Sequence, residues 1–111
     1  MTLFTPCDVS VTAHRDFIRV APAGELDLWS CRPLRDQIDE LWASGWTDVV
    51  LDLREVTFMD SSGLHLLIDN HRRATRDAMR FSLIDGDGPV ARLLDISGLR
   101  DMLVFAPPDR L

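Results

Sequence analysis

Disulfides cannot hold this chain together: it has only two cysteines in 111 residues, Cys7 and Cys31, without CxxC spacing. No apolar run approaches the roughly 18 residues needed to cross a bilayer, and the N-terminus lacks the basic and apolar stretches of a secretory signal. These absences predict a soluble, cytoplasmic protein with free thiols. Basic residues are also in deficit, 12 Lys+Arg against 18 Asp+Glu, for a formal net charge of −6. A general nucleic-acid partner, which needs a concentrated basic face, is thereby excluded, and anionic membrane surfaces are disfavoured for the same reason. The one basic cluster, Arg72, Arg73, Arg76 and Arg80, is threaded with Asp69 and Asp77. Pairs such as Asp69–Arg73, four residues apart, make it a solvated helix face.

The usual marks of catalysis and cofactor binding are missing too. No phosphate loop of the GxxxxGK[ST] type occurs. His65 and His71 are six residues apart rather than the four that would place two metal ligands on one helical face. Together with His14 they fit no triad signature. Asp85-Gly86-Asp87-Gly88 lacks the length and terminal Glu of a calcium loop and is a turn. The sequence therefore predicts no catalytic residue, no metal and no cofactor, hence not an enzyme.

What is present is ample core-forming material. With 46% hydrophobic residues, a chain of this length buries about 60–70% of its unfolded surface and needs no staples. Residues 1–111 read as a single domain with its core at about 9–105, since no repeat, low-complexity segment or linker interrupts it. Val9–Ala13 and Phe17–Ala21 alternate in the manner of paired strands, the second ending near Pro22. Gly24-Glu25-Leu26-Asp27 breaks that pattern. Ser30 is placed to cap a first helix with Pro33 in its first turn and Leu34, Ile38, Leu41 and Trp42 on its buried stripe, stopped by Ser44-Gly45. Val49–Leu53 is an apolar strand, joined by a short bridge, 54–59, to a second helix. Phe81–Ile84 is another strand. Pro89 and Gly98 bracket a third helix carrying Val90, Leu93, Leu94 and Ile96, and Met102–Phe105 makes a last strand. The order β-β-α-β-α-β-α-β implies an α/β fold with a mixed sheet and right-handed crossovers.

The most informative segment is Asp60-Ser61-Ser62-Gly63-Leu64, between the bridge and the second helix, whose apolar stripe is read as Leu64, Leu67, Ile68, His71, Ala74, Thr75 and Ala78. Ser61 falls at or just before the first turn, an N-cap position, where a phosphate is also well tolerated. A serine so placed is open to three roles: cap, nucleophile or phosphorylation site. The glycine after it lets another backbone come close. Trp42, at helical spacing, is read as core; Trp29, just before the first helix, is open between anchor and structural roles.

Three motifs in order carry a resemblance to a known family. Gly24-Glu25-Leu26-Asp27, then Val49–Leu53 with Phe58-Met59-Asp60-Ser61-Ser62-Gly63-Leu64, then Leu94-Asp95-Ile96-Ser97-Gly98-Leu99 resemble bacterial anti-sigma factor antagonists of the STAS domain family, in register from about Val9 to Phe105. The resemblance implies the STAS fold, a mixed sheet with helices mainly on one side. It also implies partner switching. The unphosphorylated antagonist binds an anti-sigma factor that is also a serine kinase, freeing the sigma factor and so regulating transcription indirectly. Phosphorylation of the serine that follows the aspartate, here Ser61, releases the antagonist, and a metal-dependent serine phosphatase reverses the mark. Ser62 matches a residue that is not usually modified. The expected partner-binding residues are Glu25, Asp27, Asp60, Ser61, Ser62, Gly63, Leu64, Leu66 and Asp69. His65 departs from the family pattern, in which a small residue often follows the Gly-Leu pair; it either narrows the choice of kinase or faces solvent. The alternative reading is a small-ligand or nucleotide-binding STAS module.

Overall fold

The computed structural model describes residues 8–110; Cys7, expected to be a free thiol, lies outside them. The elements run β1 (Asp8–Ala13), β2 (Ile18–Leu26), α1 (Leu28–Ala43), β3 (Asp48–Asp52), β4 (Val56–Met59), α2 (Ser61–Arg76), β5 (Arg80–Ile84) and α3 (Pro89–Ser97), followed by a short 3-10 turn, Pro108–Arg110. The sheet is ordered β1-β2-β3-β5, with β4 on β2. Among the described residues, the pair β1–β2 is antiparallel and the pairs β2–β3, β3–β5 and β2–β4 are parallel.

Strand alternation sorts the sheet into two faces. Ile18, Val20, Val49, Leu51, Phe81 and Leu83 point one way, and buried residues from all three helices join them in one cluster: Cys31, Leu34, Ile38 and Trp42 of α1, Leu66, Leu67 and Ala74 of α2, Val90 and Leu94 of α3. This is the expected arrangement of helices gathered on one side. On the other face Asp52 is buried beside Val50, Ser82 and Ile84. Its carboxylate accepts from the Arg54 backbone N–H (3.1 Å), Nε (3.0 Å) and Nη2 (2.8 Å), and pairs with Arg19 Nε at 3.2 Å. Burial alone would raise its pKa, but the Arg54 hydrogen bonds and the two guanidinium charges outweigh burial and hold it below the ordinary carboxylate value.

Several boundaries differ from the sequence reading. β2 does not end near Pro22 but continues to Leu26. Pro22 falls between the residues paired with β3 (Ile18–Val20) and those paired with β4 (Gly24–Leu26), where a missing N–H removes no bond to a parallel neighbour. Gly24 has φ +112° and sits at a register shift, so the strand bends there instead of stopping. The 54–59 bridge contains a strand, β4, whose buried-exposed-exposed-buried pattern carries no alternation to reveal it. Conversely, 102–105 is no strand: only Phe105 bridges Leu83. α1 starts at Leu28 with Asp27 as its cap, which makes Ser30 the third helical residue and puts Pro33 inside the helix.

Helix α2 buries Gly63, Leu66, Leu67, Asn70 and Ala74, a face rotated from the predicted stripe; Thr75 and Ala78 are exposed. Asn70 is the reason. It is polar, yet its Oδ1 accepts the Trp42 Nε1–H at 3.0 Å and its Nδ2 donates to the Leu66 carbonyl at 3.0 Å, so it is satisfied in the core. The ion pairs also differ from the i,i+4 expectation. Asp69 pairs with Arg35 (3.0 Å) and Arg73 with Asp39 (2.8 Å), tying α1 to α2 instead of lacing α2 to itself.

Candidate functional site

The site grows from one register. β2 and β4 are parallel and pair Leu26 with Met59, both buried. One residue later each strand ends in a helix cap, Asp27 and Asp60, and the Asp60 N–H still donates to the Leu26 carbonyl at 3.3 Å. Two helix N-termini therefore emerge side by side at the carboxyl ends of adjacent parallel strands, the usual place for function in such sheets. Their combined backbone N–H groups and dipoles favour negative charge.

At the α1 end the cap is closed. Asp27 Oδ1 accepts the N–H groups of Trp29 (3.0 Å) and Ser30 (2.9 Å), while Ser30 Oγ accepts the Asp27 N–H at 2.9 Å. The Ser30 hydroxyl also reaches the Glu25 carbonyl. The Ser30 backbone bond is the leading reason that the Asp27 carboxyl is held below the ordinary value.

At the α2 end the cap is Asp60, not Ser61. Asp60 Oδ1 accepts the Ser62 N–H at 2.8 Å, and Ser61 is the first helical residue. Ser61 is exposed, and its hydroxyl forms no hydrogen bond among the described residues. The capping role that competes with modification thus belongs to the aspartate. Beneath the turn, Gly63 is buried, and a Cβ there would collide with Met59 Cγ. Its role is close approach to the Met59 side chain, where the sequence suggested a neighbouring backbone.

The expected partner-binding residues divide. Glu25 and Ser61 are exposed, Asp27, Asp60 and Ser62 half-buried, and all lie at this edge. Asp69 is exposed farther along α2 and engaged by Arg35. Leu64 is half-buried and packs on the core, and Gly63 is buried. Leu66 is a correction: it is 0% exposed and belongs to the core, so it cannot present a docking surface. His65 is exposed. Leu28 and Trp29 were not among the expected residues, yet they are exposed on the α1 side of the edge; their apolar character just after the Asp27 cap is the only sequence signal.

Among the described residues no group of three or more His, Cys, Asp or Glu is placed to hold a metal ion, and no helix is long and apolar enough to cross a membrane. A cavity of about 150 Å³ lies between Arg54 and the 85–90 turn. It is smaller than the roughly 300–1,000 Å³ of ordinary ligand pockets.

A mixed sheet whose parallel strands deliver two capped helix starts to one edge, with an exposed serine on the second, defines an α/β module of helices on a mostly parallel sheet. The STAS domain model matches residues 8–108, and the chain belongs to that family. It is 28% identical over 96 residues to the anti-sigma-B factor antagonist of Staphylococcus epidermidis, covering 86% of this chain and 89% of the relative. The Staphylococcus aureus protein of that name is 25% identical over the same coverage. Among solved structures, an anti-sigma factor antagonist from Mycobacterium paratuberculosis has a similar fold, with a TM-score of 0.82, 22% identity, and 94% of this chain and 89% of that chain covered. SpoIIAA is similar in its unphosphorylated form (TM-score 0.75, 24% identity, 93% and 91% covered). Its phosphorylated form is similar as well (TM-score 0.70, 23% identity, 93% and 95% covered).

Proposed function

We propose that this chain is a cytoplasmic anti-sigma factor antagonist working as a single STAS module, and that Ser61 is its phosphoacceptor. Unphosphorylated, it binds an anti-sigma factor with serine kinase activity, so that the sigma factor is freed and transcription is regulated indirectly. The kinase phosphorylates Ser61 and the complex parts; a metal-dependent serine phosphatase restores the hydroxyl. The chain is a substrate and a binder, not a catalyst.

One observation carries this reading: Ser61 is exposed at the first residue of α2, and Asp60 has taken over the cap. Phosphorylation adds about −1.5 to −2 charges and three strong acceptor oxygens. At a helix start the free N–H groups and the dipole offset repulsion from Asp60, so the fold tolerates the group. Under a docked protein the same group is desolvated without a prepared cation, which costs several kcal/mol, and every 1.4 kcal/mol is tenfold in affinity. Likeness of this fold to both forms of SpoIIAA supports release without unfolding.

The test is incubation with the cognate anti-sigma kinase and ATP, followed by mass spectrometry and a binding measurement. One phosphate is expected on Ser61, none on a Ser61→Ala variant, and at least a hundredfold loss of kinase affinity with an unchanged thermal midpoint. Stoichiometric label on Ser62, or an affinity that survives modification, overturns the assignment.

A further inference from the structure

The edge that carries Ser61 also carries three large apolar side chains for which the switch itself has no use. Leu28 is 66% exposed, Trp29 78% and Phe58 47%. Isolated exposed apolar residues are ordinary, but a group of them at one end of a molecule marks an interaction surface. Leu28 and Trp29 are the first two residues of α1, and Ser61 is the first of α2; both helices start two residues past the Leu26–Met59 pair. Phe58 stands one residue before Met59 and is paired with Glu25, so their side chains share a face. The backbone beneath the tryptophan is fixed: the Trp29 main-chain N–H donates to Asp27 Oδ1, and the next residue, Ser30, is bonded to both Asp27 and the Glu25 carbonyl.

We infer that Leu28, Trp29 and Phe58 are the apolar anchor of the docking surface, with Trp29 selecting the partner, and that the occupant is the serine kinase that modifies Ser61. This rests on the proposed function. The occupant follows from position and charge. An enzyme that reaches Ser61 covers on the order of 800 Å², which includes residues starting the neighbouring helix. Glu25, Asp27 and Asp60 lie beside the patch at the strand ends, and Arg32 is one turn along α1 from Leu28. These carboxylates disfavour a second copy of this chain, which would bring the same charges, and an anionic lipid surface. They fit a protein with an apolar pocket bordered by basic residues. Tryptophans that become buried on docking dominate such contacts.

The probe is the purified kinase that phosphorylates Ser61, saturated with ADP for binding and with ATP for turnover. Trp29→Ala is expected to weaken binding at least thirtyfold, and Leu28→Ala and Phe58→Ala about five- to tenfold each. Arg15→Ala, in the β1–β2 turn at the far end of β2, changes nothing. In turnover, Trp29→Ala raises KM for Ser61 phosphorylation with kcat within twofold, because the serine itself is untouched. Trp29→Phe recovers part of the affinity, and circular dichroism and thermal midpoint stay at wild-type values for each variant. Affinity of Trp29→Ala within threefold of wild type, while wild type is bound and phosphorylated, overturns the anchor and leaves the switch standing. A wild-type protein that the kinase neither binds nor modifies overturns the switch and the anchor with it. Two further results refute the kinase as occupant: a wild-type dimer in sedimentation that Trp29→Ala dissociates, or Trp29-dependent binding to phosphatidylserine vesicles.

Discussion

The first turns of α1 and α2 leave the same edge of the sheet, each two residues after a paired strand and each behind an aspartate cap, but they treat their serines differently. Ser30, third in α1, is consumed: its hydroxyl reaches the Asp27 backbone, the Asp27 carboxylate and the Glu25 carbonyl. Ser61, first in α2, is left over, because Asp60 caps through Ser62 instead. Two positions along a helix thus separate a serine that builds structure from one that is open to modification. The α1 turn is fixed by hydrogen bonds; the α2 turn is fixed from below, by Gly63 on Met59 and by the buried Leu66 and Leu67.

If the α2 turn is held by packing, its strongest dependence is on Leu66. Leu66→Ala is expected to cost about 2–5 kcal/mol in urea unfolding. Gly63→Ala, which forces Met59 aside but gains helix propensity, should cost a net of about 0–2 kcal/mol. A Leu66→Ala protein of wild-type stability that binds the kinase poorly would restore Leu66 to the docking surface and break the contrast.

A smaller difference should separate the two caps. Asp27 holds two N–H groups and receives a reciprocal bond, whereas Asp60 holds one. Asp27→Ala should therefore cost about 1–2 kcal/mol and Asp60→Ala about 0.5–1 kcal/mol. Equal losses in urea titrations would mean that the closed box adds nothing.

The smallest effect is on acid stability. Asp27 and Asp52 both have folded-state pKa values below the ordinary one. Their contribution is complete above the unfolded carboxylate pKa, about 4, and is lost as pH falls through the lower folded values, because the unfolded chain takes up protons first. The thermal midpoint should be flat from pH 6 to 8 and decline below about pH 4. Asp27→Ala should decline less steeply than wild type. An identical slope would remove Asp27 from the acid response.

Where local chemistry decides structure, the sequence was sufficient. The apolar strands β3 and β5, Pro89 at the head of α3, the left-handed Gly98 at its end and the Ser44-Gly45 stop of α1 all lie where residue type alone puts them. It misled where two residue types compete for one role. Asp and Ser are near-equal caps, so the sequence places Ser30 at a cap and leaves Ser61 open between three roles, whereas Asp27 and Asp60 fill the two cap positions. Asn70 hid the buried face of α2, since only its distant partner Trp42 makes a polar core residue acceptable. β4 was invisible because it pairs on one side only and exposes two adjacent residues, Thr57 and Phe58. At the site, the serine and both aspartates were legible from their motifs, and Leu66 was misplaced by the same shift of helical face.

The register shift at Gly24–Glu25 divides the labour of one strand. Over Ile18–Val20, β2 is bonded to β3 and through it to β5; from Gly24 to Leu26, across the shift, it is bonded to β4, which leads directly into the Ser61 helix. The sheet's spine and its signalling edge share a chain but not a ladder. Substitutions that reshape the edge for a new partner, from Glu25 to Trp29 and from Val56 to His65, meet the buried core at Leu26, Val56, Met59 and Gly63. A genome carrying several copies of such a module could diversify the edge as a cassette, insulating one signalling circuit from another without rebuilding the fold beneath.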